Sequence, residues 1–270
     1  MKLNRNELIV LRGALCVKRM YKGMKHAPHG VIIWEDWMQD SLDRINAYIK
    51  EYHPDIPDWE MTEQIQADAY ETPFPHLILH NFYNDDELKL IWEELDFYTK
   101  PDKLLDAKNY GGVVTHTNSK ALWLDRIYED KYRILSNILT VNRKVFDSKI
   151  LDIFSSTHDC CSIARHSNND QTKVRYYHDG DYYEPHTDMT VQFLAFSYFY
   201  REPKRFEGGE LIFPKYDYTF DCPNNSLIMM PGWVEHGVSK ISIKNSDYFD
   251  GYGRYAVTSF FSNTDKKETE

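Results

Sequence analysis

Apolar positions follow two different periods along this chain. Near the start, Leu8, Leu11 and Leu15, with Arg12 among them, fit a helix cut by Gly13 or Gly23. From Trp34 to Lys50, Trp37, Leu42, Ile45 and Ile49 recur at near-helical spacing. Pro54, Pro57, Pro73 and Pro75 then punctuate the chain and predict a boundary. The segment starting at Pro75 reads as a strand with Leu77 and Leu79 on one face, followed by a helix over about 85–98. Asn84 is that helix's expected N-cap, Glu87 completes a capping box, and Leu88, Ile91, Trp92 and Leu95 form its apolar stripe. A long helical pattern is predicted over 130–154 through Tyr132, Leu135, Ile138, Leu139, Val145 and Ile150.

From Thr172 the pattern changes to short strands, predicted at 172–177, 182–187, 190–200, 209–213, 226–230, 236–243 and 254–262. Turn signals lie between them, among them Asp179-Gly180, Gly208-Gly209, Pro223-Asn224-Asn225 and Pro231-Gly232. Helices followed by a run of strands predict an α+β protein, and so many short strands suggest a double-sheet jelly roll. The expected organisation is a helical extension over 1–72, a β-rich domain over 73–264 and a charged tail over 265–270.

Composition narrows the class. Aromatic residues make up 15% of the chain, enough to fill a large core, so disorder is not expected. The formal charge of −10 argues against general nucleic-acid binding, which needs a basic surface. No run approaches the roughly 18–20 apolar residues of a membrane span, and no signal-peptide region opens the sequence, so neither a membrane association nor export is expected. The four cysteines, Cys16, Cys160, Cys161 and Cys222, form no CxxC and read as reduced thiols, which fits a cytoplasmic protein.

The candidate chemistry lies in the strand-rich half. In Glu184-Pro-His186-Thr-Asp188, period-two alternation puts His186 and Asp188 on one side of an extended chain. An imidazole and a carboxylate suit divalent iron or manganese, and a third ligand would complete one face of an octahedron. His236, at a predicted strand start, is the candidate third ligand. Arg254 is an isolated charge leading an apolar strand. It reads either as a strand-end residue with its head in solvent or as an inward guanidinium fork for a carboxylate.

With these residues in place, the chain resembles the iron(II)- and 2-oxoglutarate-dependent dioxygenases, in their prolyl 4-hydroxylase-like branch. The matching stretches, in order, are Tyr177-His-Asp-Gly180, Tyr183-Glu-Pro-His186-Thr-Asp188, Phe196-Ser-Tyr198-Phe, Gly208-Gly209-Glu-Leu211, His236-Gly-Val238 and Arg254-Tyr-Ala-Val-Thr, within about residues 75–262. The resemblance implies a double-stranded β-helix core with supporting helices. His186, Asp188 and His236 would hold Fe(II). Arg254 would bind the distal carboxylate of 2-oxoglutarate with help from Tyr198, Tyr177 would stand near the cosubstrate or substrate, and Leu211 and Val238 would wall the pocket. It also implies O2 as co-reactant, ascorbate as reductant, and hydroxylation of a C–H bond, first of all in a prolyl residue of a protein or peptide. Two positions depart from the branch: Phe260 stands where many prolyl hydroxylases have tryptophan, and the anchor is arginine where many have lysine.

Other readings are a hydroxylase of a free amino acid or small metabolite, a zinc hydrolase, and a non-catalytic iron- or 2-oxoglutarate-binding module. The hydrolase would need a general base beside an activated water, and no HExxH motif is present. Trp233, Phe193 and Phe213 are expected to line the site, and residues 99–126, with Asn109-Tyr-Gly-Gly112 and Trp123, to form a loop at its mouth.

Overall fold

The strand pattern closes into two facing sheets in the computed structural model, which describes residues 8, 11, 12, 15, 35–56, 66–98, 103–107, 117–244 and 250–263. The chain divides into two compact units, residues 1–65 and 66–270. In the first, α1 (Asp36–Tyr52) buries Met38, Leu42 and Ile49, and Leu8, Ile49 and Ile56 cluster with Ile45 and Tyr48 packed against them. Leu8, Leu11, Arg12 and Leu15 are helical. No helix among the described residues is long and apolar enough to cross a membrane.

The second unit starts earlier than the proline punctuation suggests. β1 (Gln66–Tyr70) pairs antiparallel with β2 (His76–His80), so the segment before Pro73 belongs to a sheet and not to a helical extension. Its sequence Gln-Ala-Asp-Ala-Tyr lacks an apolar face because it is an edge strand. α2 (Asp85–Tyr98) follows with the reciprocal cap in place: Glu87 N–H donates to Asn84 Oδ1 (2.9 Å) and Asn84 N–H to Glu87 Oε2 (2.9 Å).

The predicted long helix over 130–154 is four pieces. A 3-10 helix (Asp130–Leu135), α3 (Asn137–Asn142), a second 3-10 helix (Arg143–Phe146) and α4 (Ser148–Thr157) succeed one another. Ser136 and Asp147 cause the breaks by capping new helices, accepting from Leu139 N–H (3.1 Å) and Lys149 N–H (2.8 Å). Leu135, expected on the buried stripe, is 68% exposed as a result.

The remaining strands are β3 (Leu105–Asp106), β4 (Lys120–Trp123), β5 (Asn169–Tyr177), β6 (Tyr183–His186), β7 (Phe193–Phe199), β8 (Phe206–Glu207), β9 (Leu211–Phe213), β10 (Tyr218–Phe220), β11 (Ser226–Pro231), β12 (His236–Val238), β13 (Ser242–Ile243) and β14 (Arg254–Ser262). The larger sheet runs β1-β2-β11-β7-β14-β5-β4-β3 and the smaller β10-β9-β12-β6, with β8 and β13 as a separate pair. This second unit is a double-stranded β-helix: an α+β fold with its own helices, α2 to α4, against one sheet.

Alternation assigns the faces of the larger sheet. Phe193 and Phe199 of β7 and Tyr255 and Phe261 of β14 look outward, where Phe154 packs on Phe193 (ring centroids 5.4 Å), Phe146 on Phe261 (4.8 Å) and Trp92 on Tyr255 (5.5 Å). Tyr83 reinforces this layer, donating to Asn142 Oδ1 (2.8 Å) and sharing a hydrogen bond with Ser197 Oγ (3.0 Å). With the helices covering one face and the smaller sheet the other, β7 is buried throughout. Its even-numbered residues point between the sheets.

Candidate metal and anion site

β6 and β12 are antiparallel neighbours in the smaller sheet, with His236 directly opposite His186. Asp188 follows β6 in a turn closed by Val191 N–H donating to Asp188 O (3.1 Å), and Asp188 N–H is held by Gly232 O (2.9 Å). One ligand atom from each of His186, Asp188 and His236 lies within 4.8 Å of the others, and this is the one such group of three or more among the described residues. Asp188 Oδ2 is 3.9 Å from His186 Nε2 and 3.7 Å from His236 Nε2.

The imidazoles are oriented through their other nitrogens. His186 Nδ1 lies 2.9 Å from Glu184 O and His236 Nδ1 2.9 Å from Val234 O. A carbonyl only accepts, so each Nδ1 carries the proton and each Nε2 presents a lone pair to the centre. Burial lowers the pKa of His186, and burial with the adjacent His186 lowers His236 to about 4. Both rings are therefore neutral bases at neutral pH. Tyr183 stacks on His186 (3.9 Å) and Phe196 meets His236 edge-on (5.2 Å), fixing both ring planes. Two neutral imidazoles and a carboxylate on one side suit a divalent first-row ion with its other positions open.

The centre opens into a cavity of about 330 Å³ between the sheets. At one end stands Arg254, opposite Tyr177 in the β14–β5 register and only 2% exposed. Its guanidinium lies over the rings of Tyr198 (4.6 Å) and Tyr177 (5.0 Å), and Nη2 donates to Cys222 Sγ (3.5 Å). Nε and Nη1 have no hydrogen-bond partner, and neither has the buried Tyr198 hydroxyl. Burial raises the Tyr198 pKa well above its ordinary value, so the hydroxyl stays protonated as a donor. A buried cation with open donor positions beside a phenol O–H could hold an anion, whose acceptors would offset the cost of desolvating the guanidinium. Leu211 and Val238, paired across β9 and β12, wall this end. Gly209, at φ +79°, allows the approach: a Cβ there would meet Arg254 Cδ at 3.0 Å.

His186, Asp188, His236, Arg254, Tyr198, Tyr177, Leu211 and Val238 thus line one cavity. The inward choice for Arg254 is the observed one. Three expected liners lie elsewhere: Trp233 is 43% exposed, Phe193 faces the helical layer against Phe154, and Phe213 packs with Phe74 (4.6 Å) and Tyr218 (5.6 Å). Phe193 fails by parity, since Leu194 and Phe196 take the inward positions of β7. Of the loop expected over 99–126, residues 99–102 and 108–116, with Asn109-Tyr-Gly-Gly112, lie outside the described residues. Trp123 ends β4 and tilts against Phe260 at 5.2 Å in the cavity wall. Sequence reasoning missed Gln171, Lys173 and Arg175, which line the cavity at two-residue steps from Tyr177 on β5, and Arg126 at its rim. The alternation that placed Tyr177 inward would have found the three on β5.

No family model matches the chain, and no curated protein matches it. Solved structures share the fold. A prolyl hydroxylase from Trichoplax adhaerens, in complex with a hypoxia inducible factor oxygen degradation domain peptide, aligns with a TM-score of 0.51 at 12% identity, covering 85% of this chain and 94% of that one. A Pseudomonas putida prolyl-4-hydroxylase aligns at a TM-score of 0.46 and 16% identity, covering 70% and 92%. A 2OG-Fe(II) oxygenase family oxidoreductase from Burkholderia pseudomallei does so at 0.46 and 14%, covering 69% and 85%.

Proposed function

We propose that this protein is an iron(II)- and 2-oxoglutarate-dependent dioxygenase that hydroxylates a C–H bond. One observation carries the reading: the His186–Asp188–His236 group and the open donors of Arg254 and Tyr198 face a single cavity. Held by that group, Fe(II) supplies dioxygen activation coupled to oxidation of 2-oxoglutarate. Overall, 2-oxoglutarate, O2 and R–H give succinate, CO2 and R–OH.

The chain's own residues do the positioning. His186, Asp188 and His236 hold the ion, and their Nδ1 tethers keep the metal-facing nitrogens unprotonated. Arg254 takes the distal carboxylate of 2-oxoglutarate through its unpartnered N–H groups, and Tyr198 adds a hydroxyl donor. Tyr177 braces the guanidinium, and Leu211 and Val238 exclude water beside it. The substrate reading favours a prolyl residue in a protein or peptide. The peptide seated on the Trichoplax protein, which shares this fold, is compatible with it.

The test is succinate formation from labelled 2-oxoglutarate with Fe(II), ascorbate and air. Wild-type protein turns the label over, and His186→Ala and Asp188→Ala do not. Equal turnover by these variants removes them as ligands.

A further inference from the structure

Cys222 stands beside Arg254 but outside the lining of the cavity. It lies two residues beyond β10, is 4% exposed and has φ +52°. Among the described residues, four that are not glycine have positive φ. Asn81, Asp217 and Asn225 are of the types whose short polar side chains suit this left-handed region, and the fourth is Cys222. The local backbone does not favour a thiol there, so its place is explained by what the sulfur touches.

The sulfur joins two hydrogen bonds in series. Its S–H donates to Phe220 O (3.3 Å), and its lone pair accepts from Arg254 Nη2 (3.5 Å). Burial raises the Cys222 pKa against the opposing pull of the Arg254 cation, so the group is a neutral thiol. The turn that carries it is pinned to β7, with Asn225 N–H donating to Tyr198 O (2.9 Å) and Tyr200 N–H to Asn224 Oδ1 (3.1 Å). One turn thus supports both Arg254, through the thiol, and Tyr198, through its backbone. Sulfur is a weak acceptor. It holds Nη2 in place yet brings no charge, and Nε and Nη1 keep no partner. A carboxylate in the same place would pair with the guanidinium and compete with any incoming anion.

We propose that Cys222 is a positioning residue for the cosubstrate anchor: its neutral sulfur fixes the Arg254 guanidinium and leaves the charge for the distal carboxylate of 2-oxoglutarate. This rests on the oxygenase reading and deepens it. The thiol acts only through Arg254, so its effect falls on discrimination between 2-oxo acids with and without a distal carboxylate.

The test is calorimetric titration of the full-length protein, loaded with Mn(II) in place of Fe(II), with 2-oxoglutarate and with 2-oxopentanoate. The second keeps the 2-oxo acid end and has a methyl group where the distal carboxylate was. Wild type is expected to prefer 2-oxoglutarate by roughly tenfold or more, as one charge-assisted hydrogen bond supplies. Cys222→Ala narrows that preference by roughly three- to tenfold, the range of one ordinary hydrogen bond, through weaker 2-oxoglutarate binding alone. Cys222→Ser, whose hydroxyl also donates and accepts, restores most of it. Cys222→Asp, a residue this backbone conformation accepts, abolishes it by pairing with Arg254, and decides the question if the alanine variant does not fold. Equal weakening of both 2-oxo acids in Cys222→Ala, a wild-type preference retained in Cys222→Asp, or no preference in wild type overturns this inference alone when 2-oxoglutarate still binds. Failure of the wild-type protein to take up Mn(II) and 2-oxoglutarate overturns the oxygenase reading and this inference with it.

Discussion

His186 and His236 face each other across the β6–β12 pairing with ring centroids 4.5 Å apart, each tethered through Nδ1 to the carbonyl two residues before it. Both have pKa values below the ordinary 6.5, through burial first. Protons therefore compete for Nε2 only at lower pH than they would for free imidazole. Mn(II) affinity, followed by calorimetry, is expected to begin its fall only below the pH at which a free imidazole takes up its proton. A steep loss centred near 6.5 contradicts the neutral-ring arrangement.

Arg254 gives a prediction with two opposite signs. Arg254→Met removes the donors for 2-oxoglutarate, and a hydrogen bond to a charged group contributes about 1.5–3 kcal/mol, so affinity falls by roughly ten- to hundredfold for each bond lost. The same change removes a buried cation whose Nε and Nη1 lack partners, so the protein without ligand melts no lower than wild type. Thermal melts with and without 2-oxoglutarate check both parts.

Gly232 supports the metal centre without touching it. A Cβ there would come within 2.5 Å of Val191 O and 2.7 Å of Asp188 O, so the turn carrying Asp188 must shift in Gly232→Ala. Metal affinity should fall roughly ten- to hundredfold, the range seen when the support of a ligand is lost. Overpacking of this kind destabilises by about 1–3 kcal/mol, which urea melts would register.

Lys173 links stability to pH. Its pKa is brought from 10.5 to about 7 in the folded chain, so between these values the unfolded chain binds the extra proton. Stability from this group therefore rises as the pH climbs from 7 toward 10.5 and is lost as it falls back. Wild type should gain stability relative to Lys173→Met across urea melts at pH 7, 8 and 9. A constant difference contradicts the assignment.

Much of the site was legible because strand periodicity and sparse charge point the same way. His186 and Asp188 lie two apart at the end of β6, and Arg254 opens an otherwise apolar strand. The cap of Asn84 and Glu87 was equally local. What escaped depends on what covers each face. In Thr172-Lys-Val-Arg-Tyr-Tyr177, alternation separates Lys173 and Arg175 from Val174 and Tyr176, and ordinary hydrophobic logic sends the charged pair to solvent. Here both faces are buried: Tyr176 packs on Tyr255 in the outer layer (4.8 Å), and the cations line the cavity. β1 escaped because an edge strand need carry no apolar stripe. The helix breaks at Ser136 and Asp147 escaped because the apolar period continues through them.

On the oxygenase reading, one pocket binds the ion and 2-oxoglutarate together. Anaerobic titration of the full-length protein with 2-oxoglutarate, with and without Fe(II), measures that directly. The expected result is one tight 2-oxoglutarate site in the presence of Fe(II), much weaker without the ion and absent in His236→Ala. Binding that is indifferent to Fe(II) and unchanged in His236→Ala, or no binding at all, would contradict it.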